Sequence, residues 1–168
     1  MPDPDPALRT VLETELPTPE ATRALGTALG GLLRAGDLLV LTGDLGAGKT
    51  TLTQGLGEAL GVRGAVTSPT FVIARVHPSL GDGPPLVHVD AYRLGGTLEL
   101  DDLDLDAGVE ESVTVVEWGH GVAELLSPDR LELTLTVGEG EARHAVLGAA
   151  GPRWSAPEAA AALAALAG

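Results

Sequence analysis

The chain has 168 residues, of which 44% are apolar, and it carries a net charge of −14 and no cysteine. This length and apolar content suit one globular domain with a buried core, and the lack of cysteine excludes disulfides and thiolate metal sites. The acidic balance, with arginines spread along the chain and no basic run, argues against direct, tight binding to a nucleic-acid backbone. Apolar runs are far shorter than the roughly 18 residues of a membrane-spanning helix, so a cytoplasmic protein without membrane association is expected.

The N-terminal part of the chain predicts a strand and then a helix. Residues 10–16 alternate between polar and apolar side chains, as in a half-buried strand. Thr18 then supplies an N-cap hydroxyl, Pro19 suits the first helical position and Glu20 places an acid in the first turn. The pattern predicts a helix that ends near Leu33.

A buried strand, a glycine-rich loop and a second helix follow. Residues 37–42 (DLLVLT) contain an apolar run that is typical of a strand buried on both faces. After the loop, a helix is predicted from about Lys49 to Leu60, and Gly61 suits its C-terminal cap. This order places the loop at one end of a buried strand.

The second half of the chain supplies the remaining strands and a final helix. Strand candidates are residues 71–76, 86–90, 113–117, 130–137 and 142–147. The last two alternate and are joined by a Gly-Glu-Gly-Glu turn, which predicts an antiparallel hairpin. Ser155 and Glu158 match a capping box at the start of an alanine-rich helix over residues 155–168. The acidic, proline-rich residues 1–7 are opposite in character to a signal peptide and are expected to be flexible.

Helices mixed with buried strands predict an α/β fold. Because the C-terminal strands form a hairpin, the central sheet is expected to be mixed, although mainly parallel, with helices on its faces. The whole chain, residues 1–168, is predicted to be a single domain of the P-loop type for the reasons that follow.

The glycine-rich loop and the first helical turn, residues 43–50, match the phosphate-binding pattern G-x-x-x-x-G-K-[ST] between a predicted strand and a predicted helix. Glycines let the backbone N–H groups curl into an anion nest, and the helix adds the positive end of its dipole. Lys49, the only lysine, is a compact cation suited to the β- and γ-phosphates of a nucleotide, and the hydroxyl of Thr50 suits Mg²⁺. The expected nucleotide-binding residues are Gly43, Asp44, Leu45, Gly46, Ala47, Gly48, Lys49 and Thr50.

Two carboxylates close buried strands and are candidates for the metal and the attacking water. Asp90 ends the run LVHVD and Glu117 ends the run VTVVE, whereas the many acids of residues 99–106 are more typical of a solvated face. A phosphate-binding loop needs a carboxylate that holds Mg²⁺ directly or through water. One of the two acids is expected to position Mg²⁺ and the other to orient or activate water, unless either simply turns to solvent at the strand end.

Four residues near these elements have two interpretations each. Thr70 follows Pro69, which stiffens the entry to the next strand, and it either approaches the γ-phosphate as switch residues do or only enters the strand. Trp118 either stacks on the nucleotide base or packs in the core. Tyr92 and Arg93 are candidates for a switch or a partner contact. Arg93 either serves in catalysis or docking or is a surface or structural arginine.

Four motifs, in this order and spacing, resemble one family. They are GDLGAGKTTL, SPTF, H-x-D-x-Y-R-L and VEWG, at residues 43–52, 68–71, 88–94 and 116–119. From about Thr18 to Leu147 the chain is similar to the bacterial tRNA threonylcarbamoyladenosine biosynthesis ATPases, the TsaE or YjeE family. Very many proteins share the phosphate-binding loop alone, whereas the combination of the four motifs is specific.

The resemblance implies a small ATPase that uses ATP and Mg²⁺. It implies that the protein is required for the formation of threonylcarbamoyladenosine (t6A) at position 37 of tRNAs that read codons beginning with A. Members of the family act with the transferase TsaD and its partner TsaB. The tRNA would then be met only through the complex, which agrees with the acidic charge of the chain.

The resemblance also implies roles for single residues. Lys49 would contact the phosphates, and Thr50 and Glu117 would serve Mg²⁺. Thr51 and Asp90 would be needed for catalytic activity, and Thr51 also for ATP binding.

Two further residues, Trp118 and by a weaker correspondence Thr22, would lie near the adenine base. The chain departs from the family between Leu98 and Gly108, where LELDDLDLDAG replaces a more regular acidic-leucine helix. This departure affects the expected partner contact rather than ATP binding.

Other classes of protein also carry a phosphate-binding loop. A small-molecule kinase usually needs an arginine-rich lid, and the chain has no clustered arginines of that kind. A GTPase needs an Asn-Lys-x-Asp base reader, which a chain without asparagine cannot supply. A nucleotide-dependent assembly switch without obligatory hydrolysis stays open, because the same residues hold and split ATP.

Overall fold

The structure is a computed structural model. It describes residues 8–43, 46–62, 74–81, 83–90, 111–117 and 129–166. The expected flexibility of residues 1–7, the start of the predicted strand at 71–73 and the last residues of the predicted C-terminal helix, 167–168, lie outside the described residues.

Within the described residues, the chain forms seven strands and four helices. The strands are β1 (Arg9–Leu16), β2 (Leu38–Thr42), β3 (Ala74–His77), β4 (Leu86–Asp90), β5 (Val113–Glu117), β6 (Arg130–Val137) and β7 (Arg143–Ala150). The helices are α1 (Pro19–Gly30), α2 (Lys49–Leu60), α3 (Pro152–Ser155) and α4 (Pro157–Ala165). No helix in this part of the chain has the length and hydropathy to cross a bilayer.

All seven strands form one sheet in the order β1-β7-β6-β2-β5-β4-β3. The four central strands, β6, β2, β5 and β4, are parallel neighbours, and antiparallel pairs lie at both margins. The predicted α/β fold with a mixed sheet and a C-terminal hairpin is therefore confirmed. Strand β7 continues past the predicted end at residue 147 to Ala150, because it pairs with β6 on one side and with β1 on the other.

Strand β2 lies at the middle of the sheet and carries the loop of interest at its end. Its side chains from Leu38 to Leu41 are fully buried, as the continuous apolar run predicts. The hydrophobic core joins leucines of β2 and β6 with leucines of α1 and α2. Each buried leucine contributes about 1.5–3 kcal/mol, so the strand that carries the loop is part of the stable core.

Helix α1 starts as predicted but ends earlier. The Thr18 hydroxyl accepts a hydrogen bond from the Ala21 N–H at 3.1 Å, and Pro19 occupies the first turn. The helix ends at Gly30 rather than near Leu33, because two consecutive glycines, Gly30 and Gly31, are poor helix formers.

Helices α1 and α2 pack together through glycines. A Cβ atom on Gly26 would lie 2.0 Å from the Leu52 carbonyl oxygen, and one on Gly55 would lie 2.1 Å from the Arg23 carbonyl oxygen. Neither position has room for a side chain, so the two helix backbones are in direct contact. This contact holds the start of α1 beside the loop that precedes α2, where a Cβ atom on Gly48 would be 3.4 Å from a Thr22 methyl carbon.

The C-terminal end differs from the prediction. Ala156 is extended, with φ −58° and ψ 139°, because a residue that precedes proline disfavours the helical region. The chain therefore forms two short helices in place of one that starts at residue 155. The Ser155 hydroxyl donates to the Gly151 carbonyl at 3.1 Å, and the N-cap residue of α4 is Ala156, which has no capping side chain. The predicted capping box is wrong.

Candidate functional site

The glycine-rich loop leaves β2 at Gly43 and ends where α2 begins. Gly46 and Gly48 have positive φ angles, 84° and 102°, which residues with a side chain rarely adopt. Gly48 is the N-cap residue of α2, and no side chain caps the helix there. The N–H groups of the first helical turn thus face the loop, which is the arrangement that binds anions at the start of a helix.

Lys49 is the first residue of α2, and its side chain folds back over the loop. Its Nζ donates a hydrogen bond to the Gly43 carbonyl at 2.7 Å, and its own carbonyl accepts from the Thr53 hydroxyl at 2.8 Å. Thr50 and Thr51 follow in the same turn and are half-buried. The ammonium group is therefore held beside Gly43, where the loop leaves β2.

Glu117 closes β5, and its side chain is buried, with 4% of its surface exposed. In the sheet it lies beside Leu41 of β2 on one side and Asp90 of β4 on the other. Because the three strands are parallel, their carboxyl ends meet at one edge of the sheet, where ligands bind in open α/β sheets. The structure thus places the two predicted acids at the ends of neighbouring strands beside the loop, while their roles stay predictions.

His88 lies beside Glu117, although the sequence alone predicts no role for it. Its side chain is fully buried, and its Nε2 lies 3.4 Å from Oε2 of Glu117. The two residues are diagonal neighbours across the sheet, since His88 pairs with Val115, two residues before Glu117. Neither ring nitrogen makes a hydrogen bond among the described residues. The position two residues before Asp90 on the same strand was the available signal, because alternate residues of a strand share one face.

A small cleft of about 100 Å³ opens beside the loop. One wall is the start of α1, with Pro19 and the buried Thr22, and the floor is the loop itself. The cleft is lined by Pro19, Thr22, Gly46, Gly48, Thr51, Glu141 and Arg143. The structure therefore brings four predicted residues, Thr22, Gly46, Gly48 and Thr51, to the same cleft.

The tip of the β6–β7 hairpin also lines the cleft, through Glu141 and Arg143. Arg143, the first residue of β7, donates from Nη2 to the Gly46 carbonyl at 3.1 Å. These residues lie 97 positions apart in the chain, so no local sequence signal could have paired them. Glu141 lies in the turn of the same hairpin and is exposed.

Several predicted site residues cannot be placed. Asp44, Leu45, Thr70, Tyr92, Arg93 and Trp118 lie outside the described residues, and Asp90 is described only by its backbone. Where the structure describes the chain, no group of three or more His, Asp or Glu side chains could hold a metal ion. A metal at this site would therefore need ligands besides the described carboxylates and imidazoles.

The fold and the site define an α/β protein with a glycine-rich turn between its central parallel strand and the helix that follows. Residues 16–145 match the family described as "Threonylcarbamoyl adenosine biosynthesis protein TsaE". The chain belongs to this TsaE family.

Individual relatives agree with the family match. The tRNA threonylcarbamoyladenosine biosynthesis protein TsaE of Streptomyces coelicolor is 65% identical over 138 residues, which cover 79% of this chain and 93% of that protein. The protein of the same name from Bacillus subtilis is 39% identical over 138 residues, with coverages of 81% and 84%. The crystal structure of Bacillus subtilis YdiB superposes with a TM-score of 0.69 at 34% identity and covers 88% of this chain and 90% of that chain.

Proposed function

We propose that this protein binds and hydrolyses ATP with Mg²⁺ and thereby supports the formation of threonylcarbamoyladenosine at position 37 of tRNAs that read codons beginning with A. The proposed partners are the transferase TsaD and its companion TsaB. The names of the relatives, which are tRNA threonylcarbamoyladenosine biosynthesis proteins, support the pathway. The loop geometry supports the nucleotide.

The observation that carries the proposal is the placement of one cation and one buried acid around the loop. Lys49 holds its ammonium group over the loop, 2.7 Å from the Gly43 carbonyl. Glu117 lies buried at the end of the strand next to the one that carries the loop. An anion nest with a cation at its mouth and a carboxylate on the neighbouring strand is the arrangement that phosphate-loop proteins use for a nucleotide and its metal.

The donor set fits Mg²⁺. This ion prefers oxygen ligands and keeps several waters and phosphate oxygens, so it needs only one or two protein groups. The Thr50 hydroxyl and the Glu117 carboxylate are the oxygens that would hold it. When bound, Mg²⁺ neutralises charge on the phosphates. We assign the orientation of the attacking water to Asp90. Thr51 is assigned a supporting role in holding the phosphates.

The charge of the chain supports a role in which a partner holds the tRNA. A net charge of −14 repels a phosphate backbone, which usually meets a basic face. The protein is therefore proposed to act in the cytoplasm on the TsaD–TsaB complex rather than on free tRNA. Tight binding of the isolated protein to tRNA at physiological salt would contradict this part of the proposal.

Reconstitution of tRNA threonylcarbamoylation tests the function. TsaD, TsaB, threonylcarbamoyl-adenylate and substrate tRNA are combined with or without this protein, and t6A is counted per complex with ATP or with a non-hydrolysable analogue. We expect multiple rounds of modification only with the protein and ATP. Multiple rounds with the analogue would show that the protein is an assembly switch whose hydrolysis is incidental. Equal t6A formation without the protein would refute the proposed function.

A further inference from the structure

His88 is a buried polar side chain that the proposed function does not use. It lies in the middle of β4, and none of its surface is exposed. Neither ring nitrogen makes a hydrogen bond among the described residues. Because a buried polar group that lacks a hydrogen bond is costly, packing alone gives no reason for a histidine at this position.

One ring nitrogen of His88 lies close to the acid that is proposed to serve Mg²⁺. Its Nε2 is 3.4 Å from Oε2 of Glu117, which is longer than a well-formed hydrogen bond of about 2.7–3.2 Å. Hydrogen bonds at catalytic sites are often long in the free enzyme and shorten when the substrate binds. An imidazole N–H donates and a carboxylate accepts, so the two groups are complementary and near enough to pair in a nucleotide complex.

Both side chains point to the side of the sheet that α1 and α2 cover. Residues that pair in neighbouring strands share one face of the sheet. His88 pairs with Val115, and Glu117 pairs with Leu41. Val115 and Leu41 belong to the hydrophobic core that includes leucines of α2. The pair therefore lies on the same side of the sheet as the helix whose first turn carries Thr50.

The chemistry of Mg²⁺ indicates that His88 acts through Glu117 and not on the ion itself. Mg²⁺ prefers oxygen ligands, whereas an imidazole suits transition metals. A carboxylate has two oxygens, so Oε2 can accept from His88 while Oε1 serves the ion. Groups that hydrogen-bond a metal ligand in this way orient it, and their loss typically lowers metal affinity or activity about 10- to 100-fold.

We propose that His88 is a positioning residue for Glu117, in which Nε2 donates to Oε2 and holds the carboxylate in the orientation that serves Mg²⁺ on the bound nucleotide. This inference rests on the binding of ATP and Mg²⁺ proposed above. It requires a hydrogen-bond donor where Nε2 lies. A packing role would require only that the volume of the ring be filled.

Two substitutions separate positioning from packing. His88→Gln can place an amide N–H near the position of Nε2, whereas His88→Leu fills the space without a donor. Positioning predicts that the glutamine variant keeps its function and that the leucine variant does not. Packing predicts the reverse order, because a buried amide costs more than an apolar side chain.

Calorimetric titration with ATP in Mg²⁺ and with ATP in EDTA measures how much the metal strengthens ATP binding. We expect His88→Leu to lose most of this gain and to bind ATP in EDTA within about twofold of wild type. His88→Gln should keep most of the gain. His77→Leu is the matched control and should keep all of it, because His77 is also a buried histidine but pairs with Leu86, at the opposite end of β4 from Asp90.

ATP turnover with TsaD and TsaB supplies a second readout. His88→Leu should lower turnover about tenfold, and His88→Gln should lower it much less. In a Glu117→Gln background, His88→Leu should cost no further turnover, because its effect passes through the carboxylate. Losses that multiply in the double variant would show that His88 does not act through Glu117 and would overturn the proposal.

The titrations also separate failure of this inference from failure of the proposed function. If wild type binds ATP more tightly with Mg²⁺ and His88→Leu keeps the gain, or if His88→Gln loses as much as His88→Leu, the positioning role is wrong and ATP binding stands. If wild type binds no ATP, both are wrong. Thermal unfolding checks the fold of each variant. If His88→Leu does not fold, His88→Asn takes its place, since its amide is one bond too short to reach Glu117, and a full gain in His88→Asn would equally overturn the role.

Discussion

The molecule places a histidine beside glutamate in two regions, and burial separates them. At the centre of the sheet, His88 lies 3.4 Å from Glu117, and their side chains are 0% and 5% exposed. At the margin, Nε2 of His144 on β7 lies 2.9 Å from Oε1 of Glu13, and its Nδ1 lies 2.5 Å from Oε1 of Glu15, both on β1. All three side chains are at least one-third exposed. The marginal contacts are shorter, yet the central one is expected to matter more.

The difference follows from solvent. Water and salt screen an exposed ion pair, so it contributes little. In the interior a charged group is costly unless it is partnered, and removal of one partner is strongly destabilising. A change at His88 or Glu117, which lie together out of solvent, is therefore expected to cost more than a change at the margin, where solvent reaches the contact.

The largest expected effect comes from neutralising the central acid. Glu117→Gln keeps the shape of the side chain but removes the charge proposed to serve Mg²⁺, so Mg²⁺-dependent ATP turnover in the presence of TsaD and TsaB should fall at least about 100-fold. Turnover is measured by phosphate release, with circular dichroism as a check on folding. Glu13→Gln makes the same change at the margin and should keep wild-type turnover. Equal turnover in the two variants would mean that Glu117 is only structural.

A smaller effect, on stability, is expected from the central histidine. His88→Ala leaves a cavity and a buried carboxylate without its neighbour, so the free energy of unfolding should fall by about 2–4 kcal/mol. Urea denaturation measures it. His144→Ala at the margin should leave the urea midpoint nearly unchanged. A midpoint for His88→Ala that matches wild type would contradict the contrast between the two regions.

The smallest expected effect is the pH dependence of the marginal contact. The hydrogen bonds to Glu15 and then Glu13 raise the pKa of His144 above its ordinary 6.5. A pKa raised by folding stabilises the protein fully below the ordinary value, and the contribution is lost as pH rises through the raised value. At low salt, which leaves the contact unscreened, His144→Gln should therefore lower Tm slightly at about pH 5.5 and should have no effect at about pH 9. A larger loss of Tm at about pH 9 than at about pH 5.5 would contradict the direction assigned to the pKa shift of His144.

The centre of the molecule was predicted from the sequence much better than its margins. The apolar run of β2, the spaced glycines and Lys49 are local signals, and the strand, the loop and the start of α2 lie where they indicate. The bridge from Arg143 to Gly46 depends on the fold of the whole sheet, so no local pattern encodes it. The burial of His88 against Glu117 depends likewise on the pairing of β4 with β5.

The two wrong predictions, the end of α1 and the capping box, have local causes. Helix α1 stops at Gly30 because the following glycine ends it before the apolar pattern does. The capping box fails because Pro157 forces Ala156 out of the helical region and starts a new helix after it.

ATP binding by wild-type protein and by Lys49→Ala tests the central claim most directly. Isothermal titration with MgATP should show binding by wild type and by Arg34→Ala, in which an exposed arginine loses the same charge. Lys49→Ala should bind at least about 100-fold more weakly, because it loses a charge-assisted contact with the phosphates. Binding of ATP by Lys49→Ala with wild-type affinity would contradict the assignment of the glycine-rich loop as the phosphate site.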